Sequence, residues 1–126
     1  MTERKNFNSG NVPRMSEVFP QAVIAGDFIF ISGTPGIDPA TKSLDPSFEE
    51  QANQAFQNIS TILKDAGSSL EKIVKTTVFM VAGNDFSLVN KVYAAFFPSD
   101  PPARSTPQVM PFPGGILISV ECIALR

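Results

Sequence analysis

Two charged residues depart from the sequence pattern around them. Arg104 lies in PPARSTPQ (101–108), whose prolines prevent regular helix and whose polar side chains favour local hydrogen bonds. Glu121 interrupts the apolar run GILISVECIAL (115–125), where a carboxylate is costly unless it is paired. An arginine can bind a carboxylate through two parallel hydrogen bonds, and a glutamate can orient or deprotonate water. Three interpretations are open: a site for a small carboxylate, a structural ion pair between the two residues, and a solvated Arg104.

The residue types that the chain lacks exclude several kinds of chemistry. The sequence has no histidine, the commonest general base and metal ligand, so a serine triad is excluded. The glycines of SGTPGID (32–38) have the spacing of neither a P-loop nor a dinucleotide-binding turn. The single cysteine, Cys122, lies among apolar residues and is interpreted as a small buried hydrophobe. Lys75 is the one candidate for a Schiff base, although strand lysines are usually solvated. We expect neither a metal nor an organic cofactor.

Composition and charge limit the partners of the chain. A length of 126 residues suits one domain, which we place at 1–126. The 10 basic and 12 acidic residues are scattered along the chain, which argues against nucleic-acid binding. The first residues, MTERKNFNSG, are polar and lack the apolar core of a signal peptide, and no segment is apolar enough to span a bilayer. We therefore expect a cytoplasmic protein.

The periodicity of apolar residues predicts the elements that must position these side chains. After an irregular start, the pattern predicts a hairpin around Gly26-Asp27, an amphipathic helix, a doubly covered central strand, a second helix, an extended segment and an apolar last strand. The predicted bounds are 22–25 and 28–32 for the hairpin, 47–66 for the first helix, 72–81 for the strand, Asn84 or Asp85 to Pro98 for the second helix, then RSTPQV and GILISVECIAL.

The predicted order is β-β-α-β-α-β-β, a single mixed α/β (α+β) sheet with both helices on one face. The strands are apolar on both sides, so the face without helices needs a cover, and association of subunits would supply it. The aromatic stripe of the second helix, Phe86, Val89, Tyr93, Phe96 and Phe97, is interpreted as core because helical spacing alone accounts for it.

Five separated motifs resemble one family in the same order along nearly the whole chain: SG (32–33), IVKTTVFM (73–80), NDFSLVNKVYAAFF (84–97), PARS (102–105) and VECIAL (120–125). They are similar to the RidA (YjgF) enamine/imine deaminases, also called endoribonuclease L-PSP. The resemblance implies a chorismate-mutase-like fold and a homotrimer whose sheets form a barrel-like core. It also implies sites in the clefts between subunits and no cofactor.

The resemblance also implies roles for named residues. Arg104 of the PARS motif would bind the carboxylate of a 2-imino or 2-enamino acid, a product of pyridoxal-phosphate-dependent dehydratases. Glu121 would orient or activate the attacking water. Independently of the resemblance, the chemistry of the reaction favours the hydroxyls or backbone at Ser105 and Thr106 as groups that orient water or substrate. The remaining substrate-binding residues implied by the family are Ser32, Gly33, Asn90 and, in the N-terminal loop, Phe19.

The chain departs from the archetypal family pattern at three places. Phe19 stands where archetypal deaminases have tyrosine, which keeps an aromatic wall but removes the hydrogen bond of the phenol. Thr106 stands where cysteine is frequent, Pro107 removes a backbone donor, and the segment 98–102 is shorter.

The predicted function is hydrolysis of 2-iminopropanoate- or 2-iminobutanoate-like intermediates, such as those formed from 2-aminoacrylate, in metabolite damage control. A carboxylate-binding protein without turnover is the alternative. Ribonuclease or translation-inhibitor activity fits less well with the acidic balance and the missing histidine.

Overall fold

The computed structural model describes residues 3–126 and contains one seven-stranded sheet and two α-helices. The elements are β1 (Arg4–Phe7), β2 (Ala22–Ala25), β3 (Phe28–Pro35), α1 (Phe48–Asp65), β4 (Ile73–Val81), α2 (Phe86–Phe96), β5 (Ala103–Ser105), β6 (Gln108–Val109) and β7 (Ile118–Leu125), with one-turn 3-10 helices at 70–72 and 113–115. The predicted order is confirmed, with one strand added at the N-terminal end and the predicted extended segment RSTPQV divided into β5 and β6.

The prediction of an irregular start was wrong for β1. Its sequence, RKNF, lacks the apolar alternation that indicates a strand, because β1 is an edge strand with exposed side chains. It pairs antiparallel with β2, with Arg4 opposite Ala25. The prediction also ended β3 at Ser32, whereas the strand continues to Pro35 through an irregularity between Ile31 and Thr34. Backbone pairing with β7 forms this last part of β3, and local sequence carries no sign of it.

The strand order is β1-β2-β3-β7-β4-β5, and β6 also pairs with β4. β4 is antiparallel to β7 on one side and parallel to β5 and β6 on the other, so the sheet is mixed, as predicted. The three-residue β5 places Arg104 opposite Thr76, at the edge of the sheet.

Both helices begin and end where the sequence predicts. The side chain of Ser47 caps α1 by accepting a hydrogen bond from the Glu50 N–H at 3.3 Å, and Gly67 follows the helix in the left-handed region at φ 88°. The carboxylate of Asp85 caps α2 by accepting from the Ser87 N–H at 2.9 Å, and the helix stops before Pro98.

The helices cover one face of the sheet, and the other face carries exposed apolar side chains. The buried residues of β7 alternate with exposed or half-buried ones, so Ile118, Val120 and Cys122 face the helices whereas Glu121 and Ile123 do not. On the uncovered face, Phe28, Phe30 and Leu125 remain 40%, 43% and 42% exposed. In the part of the chain that the structure describes, neither helix has the length and apolar character needed to cross a bilayer.

Candidate active site

Arg104 is held at the sheet edge by residues of α2. One guanidinium nitrogen, Nη2, donates a hydrogen bond to Oδ1 of Asn90 at 2.8 Å. The Cζ atom lies 4.8 Å from the centre of the Tyr93 ring and 5.7 Å from that of Phe86, within the range of a cation–π interaction. The half-buried side chain is therefore positioned by one amide and two aromatic rings.

The ring of Tyr93 is itself fixed by a buried hydrogen bond. Its hydroxyl lies 2.7 Å from Oγ1 of Thr76, the β4 residue paired with Arg104 in the sheet. Burial raises the pKa of Tyr93 and outweighs the opposing effects of Thr76 and Arg104, so the phenol stays neutral beneath the guanidinium. The interpretation of the aromatic stripe as core holds for Tyr93 but not for Phe86, which is 39% exposed.

Phe86, Asn90 and Tyr93 lie four and three residues apart, so they share one face of α2. Sequence reasoning assigned a site role to Asn90 alone. The sequence did contain a signal for Phe86 and Tyr93: both share the helix face of the polar residue Asn90, on the helix that precedes the PARS motif.

Arg104 has no acidic partner within the described residues. The ion pairs among residues 3–126 join Arg14 to Glu17 at 3.5 Å and Lys91 to Glu49 at 3.0 Å. The interpretation of Arg104 and Glu121 as a structural ion pair is therefore wrong for a single chain. The charge of the guanidinium is instead left for a ligand or for solvent.

Glu121 lies on the opposite face of the sheet from Arg104. It pairs with Thr77 in β4, one residue beyond the Thr76 that faces Arg104, and successive side chains of a strand point to opposite faces. Strand β4 also separates β7 from β5, which puts their backbones about 10 Å apart. Within one chain, the sheet stands between the carboxylate and the guanidinium.

Ser32 and Gly33 form the irregular part of β3, opposite Glu121. The pairing with β7 jumps from Ile31–Cys122 to Thr34–Val120, which leaves Ser32, Gly33 and Glu121 without regular partners in that ladder. A side chain at position 33 would approach Oγ of Ser119 to 2.9 Å, so the Gly33 backbone lies close against β7. Glycine therefore allows this close contact.

Phe19 lines one cavity together with Ser32 and Gly33. The Ser32 hydroxyl donates to the carbonyl of Pro20 at 2.8 Å, which ties the bulge to the N-terminal loop. Apolar side chains that the sequence did not single out complete the wall, among them Val12, Met15 and Ile62. No sequence pattern indicates that these residues share a cavity, because Val12 and Met15 lie in the N-terminal loop and Ile62 lies in α1, far along the chain.

Ser105 and Thr106 are separated from this cavity. Ser105 lies on the helix-free face, where its hydroxyl accepts a hydrogen bond from Nζ of Lys75 at 2.8 Å. Thr106 is half-buried in the link between β5 and β6, and the carbonyl of the following Pro107 accepts from the Met80 N–H at 3.1 Å. The predicted site residues therefore fall into two groups. Arg104 contacts Asn90, and Phe19 lines a cavity with Ser32 and Gly33; Thr106 belongs to neither group.

The single cysteine lies in the core rather than in a site. Cys122 is buried, and burial, with a smaller effect of the neighbouring Glu121, raises the pKa of its thiol to about 12. The interpretation of Cys122 as a small buried hydrophobe is confirmed.

The geometry defines a class of protein: a mixed α+β domain with an arginine that α2 positions at the sheet edge and that has no acidic partner among residues 3–126. The endoribonuclease L-PSP family model matches residues 10–126, and the chain belongs to this family, which confirms the resemblance seen in the motifs.

Relatives and solved structures agree with this assignment. The chain is 41% identical to the 2-iminobutanoate/2-iminopropanoate deaminase of Bos taurus, with 98% of this chain and 90% of that protein covered. A crystal structure described as a putative endoribonuclease L-PSP from Entamoeba histolytica superposes with a TM-score of 0.93 at 34% identity, with 98% and 100% covered. The E. coli TdcF structure with bound serine has a TM-score of 0.90 at 32% identity, with 97% and 98% covered.

Proposed function

We propose that this protein hydrolyses 2-imino and 2-enamino acids to 2-oxo acids and ammonia. The observation that carries the proposal is the Arg104 guanidinium, which is fixed by Asn90 and Tyr93 but has no acidic partner among residues 3–126. A guanidinium in this state offers its free N–H groups to a carboxylate. The name of the bovine relative supplies the substrate class, and a solved relative with bound serine is consistent with an amino-acid-like ligand.

In the proposed reaction, Arg104 holds the carboxylate and so fixes the adjacent C=N carbon. A 2-enamino acid first becomes the imine by moving a proton from its nitrogen to C3 through solvent. Glu121 accepts a proton from a water molecule as the water oxygen bonds to the C=N carbon, and the C=N electron pair moves to the nitrogen, which takes a proton from solvent. Glu121 then passes its proton to the amine of the carbinolamine, the C–N bond breaks to release ammonia, and the hydroxyl loses its proton to solvent as it becomes the oxygen of the 2-oxo acid. Ser32, Gly33, Asn90 and the region of Ser105 and Thr106 would line the substrate. No oxidant or reductant is needed.

We propose that the site is completed between subunits of a homotrimer. One sheet separates Arg104 from Glu121, so a single chain does not present both to one small molecule. The exposed Phe28, Phe30 and Leu125 supply an apolar surface for association. Light scattering after gel filtration would give about three times 13.6 kDa for a trimer and would exclude it by giving the monomer mass.

The test of activity is to generate 2-aminoacrylate from serine with a dehydratase and to follow 2-oxo acid formation in the presence of semicarbazide. The wild-type protein should accelerate 2-oxo acid formation at the expense of semicarbazone. Arg104→Ala should abolish the acceleration, and Glu121→Gln should reduce it strongly. Arg126→Ala is the matched control, since among residues 3–126 the side chain of this exposed arginine hydrogen-bonds only to the Gly26 carbonyl. No acceleration by stoichiometric wild-type protein would refute the deaminase proposal.

The shared cleft has its own test. Arg104→Ala chains, inactive alone, and Glu121→Gln chains, weakly active alone, should regain part of the wild-type activity when refolded together, because some clefts of a mixed trimer would contain both native residues. Mixtures that stay inactive although mixed trimers form would place both residues of each site on one chain.

One observation favours a second candidate, a carboxylate-binding protein without turnover. Phe19 is 40% exposed at the cavity with Ser32 and carries no hydroxyl, so a donor or acceptor that tyrosine would offer is missing there. Binding of pyruvate by calorimetry with no acceleration in the dehydratase assay would establish this alternative. Phe19→Tyr should then introduce turnover.

A further inference from the structure

The loop that carries Phe19 has little regular structure of its own. Residues 8–21 join β1 to β2 and contain only turns and bends between the two strands. The side chains of Val12, Met15 and Phe19 nevertheless line one wall of the cavity that contains Ser32 and Gly33. Contacts outside the loop must therefore hold this wall in place.

A single carboxylate oxygen, Oδ2 of Asp65, anchors the first turn of the loop. It accepts a hydrogen bond from the Ser9 hydroxyl at 2.5 Å and another from the side-chain amide of Asn11 at 2.9 Å. The Ser9 hydroxyl oxygen also accepts from the Asn11 N–H at 3.0 Å. Asp65 is the last residue of α1, so these bonds tie the loop to the longest helix of the fold.

The anchor is connected to the cavity by a chain of buried hydrogen bonds. The Ser9 N–H donates to Oε1 of Gln21 at 2.6 Å, and Ser9 and Gln21 are 6% and 7% exposed. The Gln21 carbonyl accepts from the Ser32 N–H at 2.9 Å. The Gln21 side chain also donates to the Val12 carbonyl at 2.8 Å, inside the loop. Asp65 is thus linked through Ser9 and Gln21 to Ser32.

The helix itself does not explain an aspartate at this position. The C-terminal end of a helix has a partial negative charge, so a carboxylate there is disfavoured and a cation is preferred. The hydrogen bond from Ser9, and after it that from Asn11, lowers the pKa of Asp65 despite opposing desolvation. The ionised carboxylate is therefore stabilised by the loop, and its position is accounted for by loop contacts.

We propose that Asp65 is a positioning residue that fixes the 8–21 loop and thereby sets the position of Phe19 relative to the substrate. The inference rests on the proposed function, because Phe19 acts on a substrate only if the cavity binds one. Asp65 touches no reacting atom, so its loss should weaken substrate binding much more than it slows the chemical step.

Three variants test the role. Asp65→Ala removes the shared acceptor, whereas Asp65→Asn keeps one oxygen that can accept from both Ser9 and Asn11. Glu71→Ala is the matched control, an exposed acidic residue of the 3-10 helix at 70–72. In the assembled protein, Asp65→Ala should raise KM for the imino acid about three- to tenfold and leave kcat within about twofold. Asp65→Asn should restore most of the loss, and Glu71→Ala should resemble wild type.

Amide hydrogen exchange supplies a readout that does not depend on activity. Asp65→Ala should increase exchange about tenfold in residues 9–19 and leave the interior of α1 unchanged. Unchanged loop exchange, or the same increase in Glu71→Ala, would overturn the inference. An inactive wild-type protein would refute the proposed function while the exchange result still decides whether Asp65 fixes the loop. An active wild type with unaltered KM in Asp65→Ala would refute the positioning role alone.

Discussion

The hydroxyl of Tyr93 lies 2.7 Å from the hydroxyl of Thr76, and the ring of Tyr93 lies against the guanidinium of Arg104, with Cζ 4.8 Å from the ring centre. Thr76 is 1% exposed and is the sheet partner of Arg104, so a buried polar pair supports the aromatic ring on which the cation lies. The hydrogen bond between Tyr93 and Thr76 therefore holds α2 against β4 and also holds the ring that positions Arg104.

Tyr93→Phe should separate these two effects. It leaves the Thr76 hydroxyl without its partner in a buried place, which should lower the free energy of unfolding by about 1–3 kcal/mol in urea titrations. The ring remains, so KM should stay close to wild type. Tyr93→Leu removes the cation–π interaction as well and should raise KM about threefold or more. Equal KM values in the two variants would contradict a role for the ring under Arg104.

Asn90→Asp should harm substrate binding more than Asn90→Ala. The carboxylate introduced by Asn90→Asp would face Nη2 of Arg104 at hydrogen-bond distance and compete with the substrate carboxylate for it. We expect KM to rise at least about tenfold in Asn90→Asp and less in Asn90→Ala, and high salt to relieve part of the difference. Steady-state kinetics at two ionic strengths measure this. An aspartate variant that binds as well as the alanine variant would argue against Arg104 as the carboxylate ligand.

Gly36→Ala should be among the most destabilising substitutions in the chain. A Cβ atom at this position would overlap the backbone carbonyl of Gln51 in α1, and neither main chain can move aside cheaply. We expect a loss of about 3 kcal/mol or more in the free energy of unfolding. Gly10→Ala is the control, because in the described part of the chain no atom outside its chain neighbours lies within 4 Å of the added methyl. Similar thermal midpoints for both variants would contradict the close approach of the loop to α1.

The thiol of Cys122 should react only when the protein unfolds. Burial raises its pKa to about 12, so at neutral pH the native protein contains almost no thiolate at this position. Titration with an aromatic disulfide should show no fast reaction in buffer and full reaction in denaturant. Because the folded pKa is raised, the contribution of Cys122 to stability is complete below the ordinary thiol pKa and is lost as pH rises towards 12. Rapid labelling of Cys122 in the native protein would contradict this prediction and show that β7 opens readily.

Sequence reasoning predicted most of the fold because its signals are local. The apolar spacing in residues 47–66, the caps Ser47 and Asp85 and the β-branched run of β4 each determine an element without help from distant contacts. β1 was not predicted because an exposed edge strand has no apolar pattern. The last residues of β3 were not predicted because they are extended only through pairing with β7.

The sequence alone also determined which side chains could do chemistry. Arg104 and Glu121 are charged residues that depart from the pattern around them, and the absence of histidine excludes the commonest general base and metal ligand. Only the tertiary structure decided how they are arranged. Pairing of β4 with β5 and β7 puts the two residues on opposite faces, and packing of α2 places Tyr93 under the guanidinium. These relations depend on strand register and long-range packing, in which a shift of one residue reverses the face of every side chain, and no local pattern records them.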